Sequence, residues 1–301
     1  MKIHMKGWVA YVTDIDVTKA TDEEINILGN LLAEQTVILI KDQGHMTPKD
    51  DHEFTGRFGH HDLFLEVKTN FPHFYDAIQV YPDAPSISRV TGKKNENGKP
   101  GLHGHSHDLD WHCNKPHQQD RVRIAYLRAV SGTVGSRTSY INGVQAYSDL
   151  SDEWKQRIED VTVLTSSHYD SYSTIGEIFG LPEGMTSFPP DKKPKLVQTN
   201  FRGDKAILMP IFQMDGLGNC KSDEDAKEIY DFMMQHYFQE KYIGHIDWED
   251  GDVNLADQSS GIHKRWAFDK METRLMHRIG HDYDNINLVD NYLDGIEVTY
   301  E

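Results

Sequence analysis

Two histidines far apart in the chain, His112 and His263, and two arginines after the second, Arg274 and Arg278, are the residues whose types and spacing could do chemistry. Trp111-His112-Cys113-Asn114 reads as a strand, in which positions 112 and 114 point to one side and both can face a single ion. Imidazole suits Fe, Zn, Cu and Ni alike. A second ligand as remote as His263 is what a metal pinned between two strands of a barrel requires. Residues 251 to 278 read as two strands with a bend between them, the first running into His263. The second, 273 to 279, alternates: Arg274, Met276 and Arg278 face one way, and Leu275, His277 and Ile279 the other. Two arginines on one face of an apolar strand are costly to bury unless they meet anions. On pattern alone, a buried histidine satisfied by backbone and a solvated arginine face stay open beside the metal-and-anion reading.

The elements that must position these groups are legible in outline. Thr21-Asp22-Glu23-Glu24 is a capping box ahead of a helix carrying Ile25, Leu28, Leu31 and Leu32 on one face. Thr36 to Ile40 reads as a buried strand. Thr47-Pro48 opens a second helix with Phe54 and Phe58 inward, predicted to stop at Gly59. Residues 79 to 90 look like strands broken by Pro82 and Pro85. Lys93 to Gly104 is rich in turn formers and reads as an exposed loop. A strand is predicted over 123 to 130, a helix capped by Ser151, a surface excursion over 181 to 194, a strand over 195 to 199, and a helix over 222 to 239. Strands dominate from 244 to 279. Many short strands with helices outside them predict an α+β domain built on a sandwich or barrel, with residues 1–301 as one domain.

Bulk properties narrow the function. A net charge of −17 argues against a nucleic-acid backbone or an anionic membrane surface as partner. Cys113 and Cys220 are too few for a disulfide scaffold and form no zinc motif. No stretch has the length of a membrane span, and residues 1 to 6 lack the apolar core of a signal peptide. A soluble, cytoplasmic protein acting on a small molecule is the expectation.

A His-x-carboxylate pair with a remote histidine is the facial triad of non-haem Fe(II) oxygenases; here Asn114 takes the carboxylate's place. At Trp111-His112-x-Asn114, Gly135-Ser136-Arg137-Thr138, Asp257-Gln258 and then His263, Arg274, and Met276-His277-Arg278, the chain resembles the taurine dioxygenase family. Asp42-Gln43, Thr47-Pro48 and Phe58-Gly59 resemble that family's N-terminal signature. Asn142 to Leu150 resembles the helix after its Gly-Gly-Asp-Thr turn, and Leu196-Val197 with 203 to 208 resembles a later hairpin. The steps of eleven from His263 to Arg274 and fifteen to Arg278 also match. The resemblance covers roughly residues 20 to 280 in consistent order.

It implies a double-stranded β-helix (jelly-roll) core flanked by helices, with Fe(II) and 2-oxoglutarate as cofactors. Carried over, His112 and His263 ligate iron, with Asn114 in the third position. Arg274 holds the distal carboxylate of 2-oxoglutarate, and Thr138 donates a hydrogen bond to it. Arg278 touches the co-substrate's other end or an anionic group of the substrate. Trp111 is expected in the core, and family members are often homo-oligomers. The implied activity is oxidation of a small molecule, a hydroxylation, with release of succinate and CO2.

Asparagine is neutral and a weaker ligand for a hard divalent ion. It leaves three outcomes: ligation by the amide oxygen or an ordered water; a halide at the vacated position, giving a halogenase; or loss of the iron, giving a jelly-roll protein that binds a small anion. Asp108 or Asp110 is a candidate substitute ligand. A zinc hydrolase using His112, His263 and His105 or His107 is the alternative from another class.

Overall fold

Thr21 forms the capping box its spacing predicts. Its hydroxyl accepts from Glu24 N–H at 3.1 Å, the Glu24 carboxylate accepts from Thr21 N–H at 2.8 Å, and helix α1 runs Asp22–Gln35. A second capping box, Thr47 with Asp50, starts α2, Pro48–Gly56. The predicted stop at Gly59 is corrected: the helix ends at Gly56. A Cβ at Gly59 would sit 1.8 Å from Asp282 Oδ1 and 2.7 Å from the Asp282 carbonyl oxygen. Glycine is needed there for close approach, and it caps nothing.

The computed structural model describes residues 1–61, 80–81, 83–96, 98, 100–101, 103–114, 123–165 and 193–301. Within them the strands are β1 Lys2–Lys6, β2 Val9–Thr13, β3 Val37–Ile40, β4 Ser88–Val90, β5 Leu109–His112, β6 Ile124–Ser131, β7 Arg137–Asn142 and β8 Thr162–Thr165. They continue with β9 Val197–Thr199, β10 Lys205–Ile207, β11 Met214–Gly218, β12 Ile243–Asp247, β13 Val253–Asp257, β14 Gly261–Arg265, β15 Leu275–His281 and β16 Glu297–Tyr300. The remaining helices are α3 Gly143–Ser148, α4 Asp152–Ile158 and α5 Asp223–Tyr237, capped by Asn142, Ser151 and Ser222.

A large sheet has the order β16-β1-β2-β3-β13-β6-β15-β4, and a smaller one β12-β7-β14-β5. Side-chain alternation divides each strand between two cores. In β3, Val37 and Leu39 join Tyr140, Ile246 and Trp248 between the sheets, while Ile38 and Ile40 pack with Leu28, Leu32 and Phe54 of α1 and α2. The far side of the small sheet, with Trp111, Ile141 and Ile262, packs on Ile158, Ile229, Met233 and Tyr237 of α4 and α5. Trp111 is therefore a core tryptophan, as expected. Two facing sheets with helices outside make the predicted α+β double-stranded β-helix.

Residues 251 to 278 form three strands, where two were predicted. The turn at 258–260 carries the chain from β13 in the large sheet to β14 in the small one. Asp257 drives that turn by accepting from Ser259 N–H at 2.6 Å. In the predicted stretch 79 to 90, strand is confined to β4, with an isolated bridge between Tyr81 and Ala84. The stretch 93 to 104 carries no strand or helix among its described residues, and returns inward where Gly101 N–H donates to Thr91 O. The excursion at 181 to 194 lies, up to residue 192, outside the described residues.

Candidate active site

β5 and β14 are neighbours in the small sheet, and His112 and His263 face each other across that ladder as register partners. Their ring centroids are 4.1 Å apart, with planes inclined by 51°. The Nδ1 of His112 lies 2.6 Å from the Asp110 carbonyl oxygen. Nδ1 therefore carries the hydrogen, which leaves the Nε2 lone pair for a ligand. His263 Nδ1 is buried without a hydrogen-bond partner among the described residues. Its ring stacks on Tyr140 at 5.9 Å, and the Tyr140 hydroxyl donates to Asn254 Oδ1 at 2.6 Å. Burial, and then the nearby Arg278 and Arg265, push His112 down to about 4. Burial pushes His263 well below its usual range. Both rings are neutral at pH 7, the form that binds a metal.

Asn114 was expected on the same strand as His112. The strand ends at His112, and Asn114 stands two residues beyond it, its N–H donating to Gln258 Oε1 at 3.0 Å. It nevertheless lines the same cavity as both histidines. Neither candidate substitute reaches that cavity. Asp108 and Asp110 lie 3.0 and 3.2 Å from Lys264 Nζ, and they accept from Ala267 N–H and Trp111 N–H.

The large sheet supplies the opposite wall. Met276 and Arg278 line the cavity from one face of β15, in the predicted alternation, and Arg274, the residue just before that strand, lines it as well. On the other face, His277 Nδ1 meets Asp51 Oδ2 at 2.5 Å, and Asp51 also takes two hydrogen bonds from Arg128. Arg274 is 2% exposed, and its guanidinium contacts the sulfurs of Met271 and Met276. Its Nε is buried without a partner among the described residues. Burial, then the neighbouring Arg265, lowers its pKa to about 9, and it stays charged at neutral pH. Thr138, from β7, accepts the Trp248 indole N–H at 2.9 Å. That contact uses an oxygen lone pair and leaves the hydroxyl hydrogen to be donated.

Arg265 escaped the sequence reading, although its alternation with His263 along β14 puts both on one face. Its guanidinium donates to the carbonyl oxygens of His103, His105 and His107, at 2.6, 2.8 and 2.7 Å. It thereby pins the histidine-rich approach, so that His103 lines the cavity while His105 stacks on His107 at 3.7 Å. Neither His105 nor His107 lines the cavity. The cluster of potential ligands tight enough for an ion among the described residues is His60, Asp282 and Asp284, with His60 and Asp284 exposed. The zinc-hydrolase arrangement is not assembled there. Among the described residues, the cavity lining holds three arginines, three histidines and no carboxylate.

These residues fit a metal held with a dianionic chelator. Two neutral imidazoles face each other, and a buried guanidinium with no acidic partner among the described residues lies on the opposite wall. A double-stranded β-helix with such a site defines the jelly-roll oxygenases that use Fe(II) and 2-oxoglutarate. The chain belongs to the family described as "Taurine catabolism dioxygenase TauD, TfdA family", which it matches over residues 4–279, and it is a 2-oxoglutarate-dependent dioxygenase.

Among its relatives, pentalenolactone F synthase of Streptomyces arenae is 23% identical over 265 residues, covering 83% of this chain and 84% of that protein. The (S)-phenoxypropionate/alpha-ketoglutarate-dioxygenase of Sphingobium herbicidovorans is 24% identical over 277 residues, 89% of each chain. The fold is shared with a taurine dioxygenase from Burkholderia xenovorans (TM-score 0.66, 14% identity, 92% of this chain and 88% of that one). It is shared also with AAD-2 in complex with Mn(II) and N-oxalylglycine (TM-score 0.67, 18% identity, 96% of this chain and 100% of that one). No described helix is long and apolar enough to cross a membrane.

Proposed function

We propose that the chain hydroxylates a small molecule bearing an anionic group, with 2-oxoglutarate converted to succinate and CO2. His112 and His263 would hold Fe(II) through imidazole nitrogen, with the Asn114 amide in the third protein position. Arg274 would take the distal carboxylate of 2-oxoglutarate, and Thr138 would donate its hydroxyl hydrogen to the same molecule. Arg278, four residues further along and beyond Met276, would meet the substrate's anion. Bound iron and 2-oxoglutarate supply the oxidising power.

The protein's own residues bind, orient and exclude water. Arg265 holds the loop at 103 to 107 against the cavity by three carbonyl contacts. Asp110 fixes the tautomer of His112. Met276, fully buried between the two arginines of its strand face, keeps their surroundings apolar, which strengthens each contact with an anion.

The observation that carries this reading is Arg274, a charged group 2% exposed with two thioethers for company. Such a charge is expensive until an anion arrives. The names of the relatives support a small-molecule substrate, and the phenoxypropionate enzyme's own name includes a carboxylate.

The test is anaerobic titration with Fe(II) and 2-oxoglutarate, followed by visible absorption. A weak metal-to-ligand charge-transfer band is expected, together with substrate-triggered succinate release in air. No band at saturation would refute the proposal and favour a protein that binds small anions without iron.

A further inference from the structure

Between His112 and Asn114 the backbone is held by side chains, where a strand would be held by another strand. β5 is the edge of its sheet, and its described pairing with β14 ends at His112. At Cys113 the N–H donates to Gln213 Oε1 and the carbonyl oxygen accepts from Gln213 Nε2, both at 2.9 Å. One primary amide thus makes the two-point contact a neighbouring peptide would make. Gln213 is 3% exposed, in a single 3-10 turn Ile211–Gln213, and Cys113 is fully buried. One residue on, Asn114 N–H donates to Oε1 of Gln258, which is itself 1% exposed.

We infer that Gln213, with Gln258, is a positioning residue that sets where Asn114 stands relative to His112 and His263. A strand that simply continued would place residue 114 by the sheet's own ladder. Here that ladder has stopped, and two buried amides from distant parts of the chain take over. An asparagine amide is a weaker ligand than a carboxylate, so its contribution depends more on being held in place. Both hydrogen bonds of the Gln213 amide go to the Cys113 backbone and neither to a histidine. Its influence on a metal should therefore pass through Asn114.

This inference rests on the proposed iron site, and a double-mutant cycle tests it. Gln213→Met and Asn114→Ala are made singly and together, and affinity is read with Co(II) alone by absorption. Thermal midpoints without metal are recorded alongside, because a purely structural glutamine would move only those. Gln213→Met is expected to weaken Co(II) at least tenfold in the wild-type background and less than twofold beside Asn114→Ala. Equal factors in both backgrounds, or an unchanged affinity, would overturn the positioning role while leaving the iron site standing. Failure of the wild-type protein to bind Co(II), or to form the Fe(II)–2-oxoglutarate band, would bring down the iron reading itself. If Gln213→Met does not fold, Gln258→Met enters the same cycle with the same expected pattern, since its side-chain oxygen holds the Asn114 N–H directly.

Discussion

His112 and His263 are register partners on adjacent strands, and the hydrogen of His112 is committed to the Asp110 carbonyl. The pair is therefore built into the ladder and does not need an ion to bring it together. Replacing either histidine with alanine should abolish Fe(II) binding and lower substrate-triggered succinate formation at least a hundredfold. The strands should survive, because neither ring carries a ladder hydrogen bond. Metal titration and far-ultraviolet circular dichroism of both variants check this; normal turnover in both would place the metal elsewhere.

Arg274 should show opposite effects on stability and on function. Its charge is buried without an acidic partner among the described residues, and a hydrophobic residue of similar length removes that penalty. Arg274→Met is expected to stabilise the ligand-free protein by about 1–3 kcal/mol. It should also weaken 2-oxoglutarate by a factor of at least a hundred, about 2.7 kcal/mol, the scale of a lost charge-assisted pair. Urea unfolding without co-substrate, and the KM for 2-oxoglutarate, give the two numbers. A destabilised variant with unchanged KM would show that Arg274 serves the core alone.

Part of the acid sensitivity should arise away from the site, at His281. This ring is fully buried against Phe58, with Nε2 unpartnered among the described residues, and burial lowers it to about 3. Its folded value lies below the unfolded one of about 6.5, so between those pH values the unfolded chain binds a proton that the folded chain refuses. Stability therefore falls as pH drops below about 6.5, by up to ~1.4 kcal/mol per pH unit for this group. His281→Phe should leave stability at pH 7 within about 1 kcal/mol and flatten the acid limb. Urea midpoints at pH 7 and pH 5 measure it, and an unchanged difference between them would exonerate His281.

What could be read from the sequence was local or periodic. The Thr21 capping box is complete within four residues, and the alternation that put Arg274 and Arg278 on one face needs only the stretch 274 to 278. The position of Asn114 needed more. The rule that residues 112 and 114 share a side assumes a strand that continues, and this one ends at His112 because its chain passes to amide side chains from 213 and 258. Arg265 shows the same limit. Its place on the face of His263 was periodic and available, but its three carbonyl partners lie about 160 positions away, in a loop whose path no local pattern fixes. Gly59 was mistaken for a helix stop because the approach of Asp282 is equally non-local.

Under the proposed function, Asn114 would decide which oxidation the site performs. Among the described residues the cavity is lined by three arginines and no carboxylate, so a carboxylate at position 114 would be electrostatically welcome. Asn114→Asp is expected to tighten Fe(II) at least tenfold and to raise succinate formation, the remaining residues being in place. Asn114→Gly, by contrast, opens the volume a halide needs. It should weaken the metal and make the charge-transfer band respond to chloride, while the wild-type band does not. Spectra of all three proteins, with and without chloride, separate the cases. If the wild-type band shifts with chloride and Asn114→Asp abolishes that shift, the asparagine leaves room for a halide, and halogenation replaces hydroxylation as the reaction to assay.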